Sequence, residues 1–404
     1  MTATSEQSRG RVSDLTRERA IERARELAAP LVARRDETEE LRRLPDATME
    51  ELVASGLLRM NQASGWGGAE LGTEAAVEVI AEIAKGDASA GWVFGLIASH
   101  FWLVCLFPPE VQDEMWGRDP AVMMSSSFVP RESGAERVEG GYRVRGRWPF
   151  SSGADHCSWA MLGFVLPPAG PDAPPTLVWG LLPRPDYCVD DDWRTVGLRG
   201  TGSKTLVVED AFIPDHRCID PWAVSAGTAP GTTRNPAPLF RLPFGPALAY
   251  YLSAPALGAA ERTFDDWVSY IAGKRQVFSG EEVAKQAPTQ VRAGELAAQL
   301  DAARLLMTAT PRAIDDAVAA GPLDTELRAR AGRNATFGVR LCVDVVERCM
   351  QFSGGAGLFE HHPVQRGWRD VHGVAAHVGF GVDNAYGTYG HLLLGQPVPP
   401  SPML

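Results

Sequence analysis

The chain has 404 residues, 45% of them hydrophobic and 22% charged, enough to bury a large core over two or three domains and too balanced for a disordered polymer. Its formal net charge of -11 opposes binding to polyanions and excludes nucleic acid as a partner, but it leaves room for a small anionic cofactor held by a few Arg side chains or helix N-termini. A charged N-terminus without an apolar h-region, and no run of some eighteen apolar residues, predict a cytoplasmic protein with no membrane association.

In chain order, residues 1–120 are expected to form an α-helical domain. LTRERAIERARELAAPLVARRDETEELRRL and DATMEELVASGLL repeat apolar residues at spacings of three and four between charged faces. Gly56 and the Pro108-Pro109 pair break the pattern, giving four to six helices. Residues 121–238 switch to a period of two in GYRVRGRWPF, SWAMLGFVL, TLVWGLLP and KTLVVEDAFIP, which predicts a small, mostly antiparallel β-barrel or sandwich domain. PPAGPDAPP reads as a hairpin loop and SAGTAPGTTRNPAP as a flexible linker. Residues 239–404 return to long helical patterns suited to a C-terminal four-helix bundle and tail, with Ala/Leu stripes that fit burial in a homodimer or homotetramer. Six cysteines, Cys105, Cys157, Cys188, Cys218, Cys342 and Cys349, lack any metal-binding spacing and read as reduced, mostly buried thiols. The fold class is therefore α+β, mainly α.

This order of helices, strands and bundle resembles the acyl-CoA dehydrogenase fold, and four motifs carry the resemblance. GRWPFSSGADHCSWAML is similar to the family's K-x-W-I-T-N-G-x-x-A-D strand, and GLRGTGSKTLVVEDAFIP to G-M-R-G-S-x-x-x-x-L-x-F-x-D-V-x-V-P. QFSGGAGL is similar to Q-x-x-G-G-x-G, and GWRDVH to the Arg-Asp helix. The departure lies after that helix: where many dehydrogenases continue to a Y-E-G-T segment with a proton-abstracting carboxylate, this chain has VHGVAAHVGFGVDNAYG, with His377 beside the lost acid. That tail resembles the oxygenase components of two-component flavin-dependent monooxygenases acting on 4-hydroxyphenylacetate and steroid-derived phenols, as do ASAGWVFGLIASHFW, MMSSSF and WPFSSG.

The resemblance implies reduced FAD or FMN supplied by a separate NAD(P)H:flavin reductase, O2, and a flavin C4a-hydroperoxide that hydroxylates a phenolic, indolic or polycyclic aromatic substrate. No GxGxxG opens a βαβ unit, so the sequence offers no nicotinamide site of its own. By the same resemblance, His100, Ser126, Ser151 and His377 are the catalytic candidates. His100 would take the substrate hydroxyl proton, Ser126 would lie beside the substrate, Ser151 would hold the flavin N5 proton, and His377 would titrate near neutral pH next to the reacting oxygen. Trp92, Trp148, Phe150, Ser151, Ser152, Arg275, Gly354 and Gly355 are the cofactor candidates, with Ser151 and Ser152 both open for the N5 position and Arg275 expected to reach a neighbouring subunit's cofactor. N- or S-oxygenation, acyl-CoA dehydrogenation and a silent flavin-binding scaffold are the rival readings.

Overall fold

The computed structural model describes residue 12, residues 14–168, residue 170 and residues 175–404. Six helices come first: α1 (Arg17–Ala33), α2 (Arg35–Leu41), α3 (Asp46–Ala54), α4 (Thr73–Gly86), α5 (Ala88–Val104) and α6 (Pro109–Trp116). Their ends follow local chemistry. The Thr16 hydroxyl accepts the Arg19 amide and Asp87 accepts the Ala90 amide, so first-turn N–H groups of α1 and α5 are answered. Gly56, at φ 74°, takes the left-handed turn after α3. Helix α5 is apolar on every side, and all its residues but Leu96 are buried, as befits a helix at the centre of the molecule.

Two four-stranded sheets follow, built from β1 (Met124–Ser127), β2 (Glu132–Val138), β3 (Gly141–Ser151), β4 (Trp159–Leu166), β5 (Thr176–Pro183), β6 (Cys188–Asp190), β7 (Lys204–Pro214) and β8 (Cys218–Ile219). One sheet runs β1-β4-β5-β8 and the other β2-β3-β7-β6; all pairings are antiparallel except β1 with β4. Trp148, Phe164, Leu182, Leu206 and Ile213 fill the core between them. β4 and β5 pair as a hairpin, but most of the loop expected to close it lies outside the described residues, as does the chain before residue 12.

The stretch 225–238, expected to be a flexible linker, is instead tied down. The Gly231 amide donates to the Leu106 carbonyl at 2.9 Å, and the Asn235 side chain donates to Cys105 O at 2.8 Å and Gln112 Oε1 at 3.1 Å. A Cβ at Gly231 would overlap the Cys105 carbonyl. Turn-forming residues were present, but here they bond the Cys105 and Leu106 carbonyls just past the end of α5.

The last part comprises α7 (Pro221–Ser225), α8 (Phe244–Gly273), α9 (Ala287–Ala320), α10 (Thr325–Ser353), α11 (Pro363–Ala375) and α12 (Val382–Leu393). α8 packs against α4, α5, α9, α10 and α11, joining the two helical regions into one core. All six cysteines are free, with Cys188 exposed. Among the described residues no helix is long and apolar enough to cross a membrane.

Candidate active site

The site forms where α5 faces β1 and the end of β3. Strand β1 carries three consecutive serines, and because side chains alternate across a strand they divide between two neighbours. Ser127 donates to the Pro149 carbonyl at 2.6 Å, and Ser125 accepts from the Ser151 hydroxyl at 3.0 Å, so both face β3. Ser126 points the other way, and its Oγ lies 2.8 Å from His100 Nε2.

His100 is fully enclosed, with Nδ1 2.7 Å from the Met124 carbonyl. A carbonyl only accepts, so Nδ1 carries the hydrogen and Nε2 is the bare nitrogen. Ser126 must then donate to Nε2, which turns its oxygen lone pairs toward any further partner as an acceptor. Burial pushes the imidazole pKa down to about 4, partly opposed by the Met124 bond, so His100 is neutral at pH 7.

Trp92 lies two turns earlier on α5, about 12 Å along the axis. Between Trp148 and Ser151 the β3–β7 register shifts, and Phe150 adopts φ 64°, a left-handed bulge residue whose ring is exposed and meets the edge of Trp193. The bulge separates the two serines: Ser151 is sunk between β3 and β1, while Ser152 receives the Trp92 indole N–H at 3.0 Å. From Ser152 a line of hydroxyls continues to Ser203 at 2.7 Å, Thr201 at 2.7 Å and the Leu198 carbonyl at 2.9 Å.

The second histidine lies against Trp92, with ring centroids 5.6 Å apart. His377 Nδ1 accepts the Gly379 amide at 3.0 Å, so the neutral ring carries its hydrogen on Nε2, which has no protein acceptor among the described residues. The expectation that His377 titrates near neutral pH needs correction. Burial drops its pKa to about 4, so the resting ring is neutral and presents its Nε2–H as a donor.

Residues 13–118 of the chain match the acyl-CoA dehydrogenase N-terminal domain and residues 250–381 its C-terminal domain. It is 38% identical over 381 residues to the flavin-dependent monooxygenase, oxygenase subunit HsaA, of Rhodococcus jostii, covering 94% of this chain and 99% of that protein. The chain belongs to this oxygenase family. It is also 33% identical to the FADH2-dependent resorcinol hydroxylase, oxygenase component, of a Rhizobium species, covering 89% and 90%. The crystal structure of 3-HSA hydroxylase from Rhodococcus superposes with a TM-score of 0.89 at 35% identity, covering 95% of this chain and 99% of that one.

For a flavin-dependent oxygenase the donor set fits the cofactor. A reduced isoalloxazine presents N–H donors and carbonyl acceptors on a flat apolar ring; here Ser152 offers a lone pair and His377 an N–H, beside Trp92. The other cofactor candidates are placed elsewhere. Trp148 is wholly inside the β core, its indole N–H donated to Gly163 O at 2.7 Å, so it supports the sheet and is corrected as a direct cofactor contact. Arg275 is exposed, paired with Glu282 at 3.1 Å at the base of a turn whose Val277 and Phe278 stand fully in solvent. Gly354, at φ 68°, and Gly355 end α10 nearby, where Lys274 donates to Ser353 O at 2.8 Å. No hydrogen bond among the described residues joins this second group to the His100 or Ser152 lines.

Sequence reasoning missed Ser125, Thr201, Ser203 and the Met124 and Leu198 carbonyls. Thr201 and Ser203 stood in GLRGTGSKTLVVEDAFIP, used only as one of the motifs that carry the resemblance; their spacing of two was the available signal.

Proposed function

We propose that this oxygenase uses reduced flavin from a separate NAD(P)H:flavin reductase to hydroxylate a phenolic or indolic ring. The observation that carries the reading is the His100–Ser126 pair. With its hydrogen given to Nε2, Ser126 is an acceptor, and an acceptor next to a substrate site selects a ring bearing O–H or N–H. A substrate hydroxyl donating to Ser126 leaves more electron density on the ring carbons, and the neutral His100 behind it stands ready to take the proton.

Reduced flavin, when bound, supplies the electrons that activate O2, so that one oxygen atom enters the ring and the other leaves as water. Around it, Ser152 would accept the N5 hydrogen and hold it in place. Connection to Trp92 and His377 supports Ser152 for this task over Ser151, whose hydroxyl is closed in against Ser125. His377 would donate its Nε2–H to the reacting oxygen. Just past the end of β1, Phe128 packs with Trp179 and Phe244, the three ring centroids 4.5–5.3 Å apart.

S-oxygenation is less favoured by Ser126, because a thiophene sulfur brings no hydrogen for it to accept. Acyl-CoA dehydrogenation lacks the carboxylate after the Arg-Asp helix. The solvent-facing Val277 and Phe278 support a homo-oligomeric contact near Arg275, as dimer or tetramer, since so exposed an apolar tip is costly unless covered. Six free thiols support a reducing compartment, the cytoplasm.

The test is anaerobic loading with reduced FMN or FAD, then oxygen, with matched panels of phenols, indoles and thiophenes. Hydroxylated phenol or indole is expected; sulfoxide alone, or bleaching of oxidised flavin by an acyl-CoA, would overturn the reading.

A further inference from the structure

The hydroxyl line behind Ser152 has a direction, and it follows from counting hydrogens. The Leu198 carbonyl cannot donate, so the Thr201 hydroxyl gives it its only hydrogen. Ser203 must then donate to Thr201, and Ser152 to Ser203. The Trp92 indole, a donor only, completes the order by donating to Ser152. Ser152 is left with no hydrogen to give and one lone pair to offer.

The end of the line is itself held. Leu198 adopts φ 52° and ψ 37°, and its amide donates at 2.7 Å to Asp370, a buried carboxyl on α11. Arg369 donates to Val196 O at 2.7 Å, and a Cβ at Gly197 would overlap the Arg369 carbonyl, so the Arg-Asp pair grips this loop from both sides. The Leu198 carbonyl also accepts the Thr201 amide at 3.2 Å and the Trp193 indole N–H at 3.0 Å.

We infer that Ser203, Thr201 and Asp370 are positioning residues that lock the Ser152 hydroxyl as an acceptor, so that the site discriminates reduced from oxidised flavin. Reduced isoalloxazine bears a hydrogen at N5 that Ser152 accepts; oxidised isoalloxazine bears a lone pair there, which faces another lone pair. This rests on Ser152 being the flavin-facing hydroxyl. Removing the Ser203 hydroxyl frees the Ser152 hydrogen to serve oxidised N5 and erodes the preference.

The experiment is titration of the intact protein with FMN and FAD, oxidised in air and dithionite-reduced under anaerobiosis, giving a ratio of dissociation constants that does not depend on turnover. Ser203→Ala is expected to lower the reduced-over-oxidised preference about fivefold, the scale of one neutral hydrogen bond. Asp370→Ala should move the ratio the same way, while Asp370→Asn, which keeps an acceptor for the Leu198 amide, should restore it. If Ser152→Ala shifts the ratio but Ser203→Ala and Asp370→Ala do not, the line plays no part and the inference fails while the Ser152 placement stands. If none of them shifts it, Ser152 does not face the flavin and both fall. Should Asp370→Ala not fold, Thr201→Val, which removes only the relay hydroxyl, decides in its place.

Discussion

Two serines of the candidate site are oriented by different means to a similar end. Ser126 gives its hydrogen to an imidazole, His100, whose other nitrogen is tied to the Met124 carbonyl. Ser152 gives its hydrogen to Ser203, whose own passes to Thr201, and the line ends on the Leu198 carbonyl. Both oxygens become acceptors, but only the first line contains a group able to take up a proton. The difference suits the two tasks we propose for them: a substrate hydroxyl must be allowed to ionise, while the flavin hydrogen must be kept where it is.

The largest way to break this comparison is His100→Ala. Product formation should fall about 100-fold, the lower scale of lost acid–base assistance, while reduced flavin binds as before. Equal losses in product rate and in flavin affinity would mean that the two lines are not separate. His377→Ala should follow, with about a tenfold loss of product rate for one donor hydrogen bond to a reacting oxygen, read by single-turnover product yield.

On the flavin side, Ser152→Ala should raise hydrogen peroxide released per flavin oxidised several-fold, whereas Ser151→Ala, which removes a bond between β3 and β1, should lower the melting temperature with little change in coupling. A reversal of those two outcomes would return the N5 position to Ser151.

Acidity sharpens the contrast with smaller effects. Both histidines have folded pKa values near 4 against about 6.5 when unfolded. The unfolded chain therefore binds more protons between those values, and stability should fall as pH drops from about 6.5 toward 4. The product rate should show no histidine inflection between pH 6 and 8. Asp370 acts in the opposite sense: burial first, and then the neighbouring Asp87, raise its carboxyl to about 7, so its contribution to stability declines as pH rises from about 4 to 7. Asp370→Asn should flatten that decline in melts taken at successive pH values.

Much of the fold was legible because it rests on local pattern. The change of period from three-and-four to two near residue 120, and back after the β region, marks real changes of element type, and Gly56 and Pro108-Pro109 break the helices where expected. The segment 225–238 was misread because composition shows turn-forming residues but not the helix end they bond to. In the site, His100, Ser126, Trp92 and His377 could be singled out from the sequence by resemblance, and contacts within the fold draw them into two neighbouring lines. The protonation of His377 was not legible, since it depends on burial and on the Gly379 amide. Nor was the Ser151–Ser152 choice, which is made by a single bulge residue, Phe150, in a conformation few non-glycine residues adopt.

The most direct measurement pairs a phenol accepted by the enzyme with its methyl ether, which keeps the ring but has no hydrogen to donate to Ser126. Under single turnover with reduced flavin and oxygen, the phenol should be hydroxylated and the ether should leave flavin oxidation yielding hydrogen peroxide alone. Equal hydroxylation of phenol and ether would contradict the acceptor role of the His100–Ser126 pair.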